Sequence, residues 1–178
     1  MMKKLLWGLL CLLTFSMTSL TFVSCGSDDD KPKQEKTEKG FGELTLDNKS
    51  YDVPYGYVLE SDNYFRLMFS SLTQTTKLTT KTRWTYCDIV VDNDEGTLKL
   101  GQYQAQADVV IEKTVGETQT SPLVMRVHGI LTVSKSVDSY VFDFVDNNDI
   151  RVITNTTGSP APDDISLHYK GKLLEWDW

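Results

Sequence analysis

The chain has 178 residues, with 18 basic and 25 acidic side chains and a net charge of −7. That length allows one domain with a real core. The acidic balance argues against nucleic-acid binding, which needs a basic patch to replace phosphate counterions.

The chain opens with Lys3 and Lys4, an apolar run from Leu5 to Leu13, and a Ser/Thr-flecked stretch ending Phe22-Val23-Ser24-Cys25-Gly26. Charge, apolar core and small residue in this order are the layout of an export signal. With a cysteine at the cleavage point, the segment resembles the bacterial lipobox. The resemblance implies that residues 1–24 are a lipoprotein signal peptide, cut just ahead of Cys25, and that the Cys25 thiol carries a diacylglyceryl group. No cofactor beyond that covalent lipid is expected. A buried methylene contributes about 0.8 kcal/mol and one acyl chain holds only marginally, so stable anchoring needs the two or more chains such a cysteine carries. A plain secretory signal and an uncleaved membrane helix are the alternatives. Leu5 to Val23 is nearly long enough to span a bilayer, but its second half is rich in Ser and Thr and an acidic run follows.

That run, Gly26-Ser27-Asp28-Asp29-Asp30, resembles the start of mature Bacteroidetes lipoproteins, in which acidic residues after the lipidated cysteine direct surface export. The resemblance implies an outer-membrane protein exposed at the cell surface. Read as composition, the same residues are a solvated spacer. Residues 25–40 form the lipidated cysteine and a polar tether that cannot build a core. As a flexible coil, about 15 residues span roughly 20–25 Å.

From Phe41 the pattern changes to period two, and residues 41–178 read as one all-β domain. Leu44 and Leu46, the turn Asp47-Asn48-Lys49, and then Tyr51, Val53, Tyr55 and Tyr57 on one face predict an opening hairpin. Pro54 marks an edge or a bulge, because it cannot donate to a ladder. Asn63 to Ser70 is a strand with Phe65, Leu67 and Phe69 inward, and Ser71 to Arg83 is a polar loop or weak hairpin. Trp84 to Val91 is a strand, Asp92 to Gly96 breaks it, and Thr97 to Leu100 resumes it. Gly101 to Val115 is extended, Gly116 to Pro122 is a loop, and Leu123 to Ser134 is a long strand. After a turn at Val137-Asp138-Ser139, Tyr140, Phe142 and Phe144 form an aromatic core row. Asp146 to Asp149 is expected to turn the chain into Ile150 to Thr154. A loop over Asn155 to Asp164 leads to the strand of Ile165, Leu167 and Tyr169, and Leu174, Trp176 and Trp178 alternate at the end. Nine or ten strands with no convincing helix mean an antiparallel β-sandwich or lipocalin-like β-barrel.

Gly42-Glu43-Leu44, Tyr51-Asp52-Val53, Gly56-Tyr57, Leu100-Gly101-Gln102-Tyr103, Gly129 to Lys135 and Tyr140 to Phe144 together resemble a group of small Bacteroidetes surface lipoproteins. The resemblance covers most of residues 41–178. It implies a β-sandwich or lipocalin-like barrel, and its motifs carry no catalytic residue.

Little in the sequence points to catalysis. Cys11 leaves with the leader and Cys25 is acylated, so Cys87 stands alone, and its alternation with Thr85, Ile89 and Val91 makes it a small buried hydrophobe. His128 and His168 read as exposed strand residues, without the ligand spacing zinc needs. Asp92, Asp94 and Gly96 approach a calcium loop, but Gly96 falls one position early and no glutamate closes it. Asp146 and Asp149 make a second acidic turn. Asp88 and Asp143 are strand-borne acids that define no catalytic pair, and no Gly-x-Ser-x-Gly elbow occurs. Trp84, Tyr86, Trp176 and Trp178 are expected mostly in the core, with Trp84, Trp176 and Trp178 the candidates for stacking on a ligand. The expectation is a binding module for a glycan or small molecule, held at the membrane by its lipid, and not an enzyme. A structural or adhesin-type subunit is the alternative.

Overall fold

The computed structural model describes residues 38–79, 81–115, 123–156 and 160–176. They fold as ten strands in one mixed sheet whose hydrogen-bond ladder does not close. The strands are β1 (Phe41–Leu46), β2 (Lys49–Asp52), β3 (Tyr55–Glu60), β4 (Tyr64–Ser70), β5 (Thr82–Asp92), β6 (Gly101–Val115), β7 (Leu123–Ser136), β8 (Ser139–Asn155), β9 (Ile165–Gly171) and β10 (Leu173–Glu175). Their order is β10-β3-β4-β5-β6-β7-β8-β9-β1-β2. All pairs are antiparallel except β10 with β3, so the sheet is mixed where the sequence predicted purely antiparallel pairing.

The strand order explains the shape. β2 and β3 lie at opposite ends of the sheet, yet only Val53 and Pro54 separate them in sequence. The sheet must therefore curl until its ends meet. Pro54 is where the predicted hairpin strand divides. The alternation inverts there: Val53 is buried in the core, whereas Tyr57 faces outward and Val58 packs inward. The expected single face of Tyr51, Val53, Tyr55 and Tyr57 is therefore two faces.

Inside the curl, side chains fill the space. Phe65, Phe69, Phe142, Phe144 and Tyr169 are fully buried, and Phe69 touches both Phe142 and Tyr169 across the interior at ring distances of 5.4 and 4.8 Å. Small curled sheets are typically filled in this way.

Tyr169 also closes the seam. A Cβ on Gly40, Gly42, Gly56 or Gly171 would lie 2.6–2.8 Å from its ring or hydroxyl. These glycines come from the start of β1 and from β3 and β9, so the absence of side chains lets the backbones close around one ring. The Tyr169 hydroxyl donates to the Lys172 carbonyl at 2.9 Å.

Two further expectations are corrected. Thr97 to Leu100 is not a strand: Gly96 takes φ +62°, packed under the Ser61 carbonyl, and the chain then bends so that the Leu98 N–H donates to Glu60 Oε1 at 2.8 Å. Asp146 to Asp149 is not a turn. β8 runs straight through it with a bulge, in which His128 and Gly129 of β7 face Asp149 and Asp146. Asn148 takes φ 64°, and its N–H donates to Asp146 Oδ1 at 2.7 Å. The other oxygen, Oδ2, accepts from the Ile165 N–H at 2.7 Å, fixing the start of β9. The local turn chemistry was real, but it was used to bulge a strand and not to end one.

Two outcomes follow from the seam. In Gly42→Ala the new methyl would lie 2.2 Å from the Val53 carbonyl oxygen, a backbone atom that cannot swing aside. Urea unfolding should show a loss of about 1–3 kcal/mol. Burial raises the Tyr169 hydroxyl from 10.0 to about 12. Below pH 10 the ring is neutral in folded and unfolded chains alike. Between pH 10 and 12 only the unfolded chain releases the proton, so stability falls as pH rises. Tyr169→Phe should make that fall shallower, with the remainder carried by Tyr57 and Tyr86, which burial also raises.

Candidate aromatic cleft

The outer face of β3, β4 and β5 carries the candidate site. On β4 the inward set is Phe65, Leu67 and Phe69, so Arg66, Met68 and Ser70 point out. On β5 the inward set is Cys87, Ile89 and Val91, so Trp84, Tyr86 and Asp88 point out. Tyr57 on β3 is the cross-strand partner of Met68. These outward residues are not all exposed: Tyr57 is 2 % exposed and Met68 6 %. Two elements cover them, the loop from Ser71 to Thr79 and Trp176 just after β10.

Together they wall a half-open cleft of about 100 Å³. Tyr57, Met68, Trp84 and Trp176 form its sheet side, and Leu72, Thr73, Gln74, Thr76 and Leu78 form its loop side. Trp176 meets Tyr57 edge-on at 5.8 Å, and Trp84 packs on Tyr86 at 4.8 Å. The Trp84 indole N–H donates to Ser70 Oγ at 2.6 Å, and the Ser70 hydroxyl donates to the Leu72 carbonyl at 2.8 Å. The tryptophan's orientation is thus locked to the root of the loop. The Gln74 N–H reaches the Tyr57 hydroxyl at 3.2 Å, tying the loop to the sheet a second time. Within the loop, Thr73 and Thr76 bond to each other through their hydroxyls at 2.8 Å.

A bulge sets Trp84. Between the pairs Trp84–Lys113 and Tyr86–Val110, β5 has one residue and β6 has two. Glu112 takes φ 49°, and its N–H donates to Thr85 Oγ1 at 3.0 Å.

Next to the cleft runs a charged ladder. Asp88 and Asp108 are direct cross-strand partners, and Asp108 is in turn the partner of Arg126. Arg66 makes a two-pronged contact to Asp88, Nε to Oδ1 at 2.6 Å and Nη2 to Oδ2. Arg126 grips Asp108 in the same way at 2.8 and 3.0 Å. Each carboxylate holds its arginine's proton in place, raising both guanidinium groups above their usual value.

The predicted site residues separate cleanly. Trp84 and Trp176 come together in one cleft, outside the core where most tryptophans were expected. Trp178 and Cys25 lie outside the described residues, as does the loop Gly116 to Pro122. Cys87 is fully buried, and burial pushes its thiol well up, which suits a core residue and not a nucleophile. His128 and His168 are half-exposed strand residues facing Asp149 at 2.9 Å and Asp143 at 2.7 Å. Among the described residues no group of three or more His, Cys, Asp or Glu side chains could hold a metal. Both oxygens of Asp146 are occupied by backbone N–H groups. Tyr57 and the loop Leu72 to Leu78 were not among the predicted site residues. The signal available was the threonine-rich composition of that loop directly before Trp84. The chain matches no protein-family model, no curated protein and no solved structure.

The two ion pairs should respond differently to mutation. Arg66→Ala would leave Asp88, whose side chain is 8 % exposed, buried without a partner. Such a loss costs about 3 kcal/mol and should appear as a lower thermal midpoint. Arg126→Ala frees an exposed pair, and its midpoint should stay near that of the parent.

Proposed function

We propose that this chain is a surface-displayed, lipid-anchored protein of the bacterial outer membrane whose β-domain binds a glycan in the cleft of Trp84 and Trp176. The convergence of those two tryptophans with Tyr57, beside a loop rich in hydroxyl and amide groups, carries the binding reading. A sugar ring offers an apolar C–H face for stacking, and the apolar, aromatic walls of the cleft offer a partner for that face. The filled interior favours this over carriage of an apolar molecule inside a barrel. Anchoring rests on the sequence alone: the leader ending at Cys25 and the acidic run after it. A binding role is favoured over catalysis because Asp88 and Asp108 are already engaged by arginines and Cys87 is sealed in the core.

A second reading, a subunit of an envelope or adhesin assembly, is favoured by one observation. β9 pairs only with Tyr140 to Val145 of β8, so the stretch from Asp146 to Asn155 has β7 alone as its strand partner among the described residues. Ile153 on that stretch is 52 % exposed. A strand edge of this kind can accept another chain.

The test is a glycan panel titrated against the chain from Cys25 onward carrying Cys25→Ser, read by tryptophan fluorescence. Binding should occur, and Trp84→Ala or Trp176→Ala should weaken it about tenfold, near 1.4 kcal/mol, in variants that keep the parent circular dichroism. Concentration-dependent self-association without any glycan response would favour the assembly reading. In cells, Cys25→Ser should abolish palmitate labelling and membrane retention, and unchanged retention would refute the anchor.

A further inference from the structure

The stretch of chain that builds much of the cleft is opposite in charge to the chain as a whole. From Tyr64 to Tyr86 there are four cations, Arg66, Lys77, Lys81 and Arg83, and no acid, in a chain of net charge −7. This is the stretch that supplies β4, the cleft loop and the start of β5. Lys77 is exposed between the cleft-lining residues Thr76 and Leu78. A cation also stands beside each tryptophan: the Lys113 ammonium lies 5.8 Å from the Trp84 ring centre, and the Arg66 guanidinium 5.8 Å from that of Trp176. Arg66 is matched by Asp88 and Arg83 by Glu112. Among the described residues, no ion pair engages Lys77, Lys81 or Lys113. The cleft thus combines an apolar, aromatic floor with Lys113 beside Trp84 and Lys77 on the loop wall, and Lys81 follows on the same loop.

We propose that the ligand is an acidic sugar, a pyranose ring bearing a carboxylate, whose ring face lies on the tryptophans while its charge meets the lysine rim. This rests on the glycan reading above and adds the charge of the ligand to it. A neutral sugar would use the floor and leave the rim idle. An anionic chain without a stacking face would use the rim and leave the floor idle. Only a ring with both features uses the whole surface, and the acidic balance elsewhere on the protein repels it from other sites.

The test compares trigalacturonate with its fully methyl-esterified form, which keeps the rings and loses the charge. Both are titrated against the chain from Cys25 onward carrying Cys25→Ser. The acid form should bind at least tenfold tighter at low salt, and the preference should shrink as salt rises from about 20 to about 500 mM, because rim charges are screened. The triple variant Lys77→Gln, Lys81→Gln, Lys113→Gln should erase the preference, bringing the acid form to the same affinity as the ester in that variant. Equal binding of the two forms overturns the acidic-sugar proposal and leaves the glycan reading intact. So does failure of both, if neutral glycans of the panel still bind in a Trp84-dependent way. If no glycan of either kind binds, both proposals fall.

Discussion

The structure depends on how closely the backbone can approach one buried ring. Tyr169 sits where the two ends of the sheet come together, and four glycines, Gly40, Gly42, Gly56 and Gly171, crowd it closer than any Cβ would allow. A ten-stranded sheet left open would expose its inner face. Curling it buries that face, but the last gap is too narrow for two side-chain layers. A single aromatic ring against bare backbone fits. The Val53-Pro54 link then crosses the seam, with the Gly40 N–H bonding the Pro54 carbonyl at 2.8 Å and the Val53 N–H bonding the Gly42 carbonyl at 2.9 Å. Gly129 repeats the device on a smaller scale, lying over the Phe144 ring at the bulge of β7 and β8.

The cleft inherits its geometry from that seam. The Tyr169 hydroxyl holds the Lys172 carbonyl, and Lys172 is the single residue between β9 and β10. β10 is thereby set parallel to β3, and the Trp176 N–H continues the pairing onto the Val58 carbonyl at 3.0 Å. This places the Trp176 ring on Tyr57. Core and cleft lie on opposite faces of the same strands, so the position of one tryptophan on the outside is fixed by how one tyrosine packs on the inside.

Much of the inner face was legible in the sequence because its signal is local. The period-two rows Phe65-Leu67-Phe69, Cys87-Ile89-Val91 and Met125-Val127 through Val133 are all buried. Three features were not legible, and each is decided by a distant partner. The inversion of facing at Pro54 depends on β2 and β3 joining different neighbours. The Asp146 bulge depends on β7 continuing past it and on β9 starting at Ile165, since an isolated Asp-Asn-Asn-Asp run reads as a turn. Trp84 and Trp176 stand out as stacking candidates, but their meeting on one outer face is not legible, because size and apolarity argue for the core and nothing nearby in sequence says that a loop and the segment after β10 will cover that face. The glycines of the resemblance, Gly42, Gly56 and Gly129, were visible as a pattern, and the close contacts with Tyr169 and Phe144 give that pattern a steric cause.

The charged ladder completes the picture. Two aspartates placed directly opposite each other on neighbouring strands are a like-charge pair, a modest cost where one of them, Asp108, is partly exposed to solvent. Arg66 and Arg126 resolve it from the outside, so the row Arg66, Asp88, Asp108, Arg126 crosses four strands with no net charge. The neutrality has a consequence beyond the ladder. Had the two acids been unmatched, their field would have cancelled the lysines around the adjoining cleft. Because each acid is held by an arginine, the row adds no net charge beside the cleft, and none of its carboxylates is left to oppose the Lys113 ammonium that stands next to Trp84.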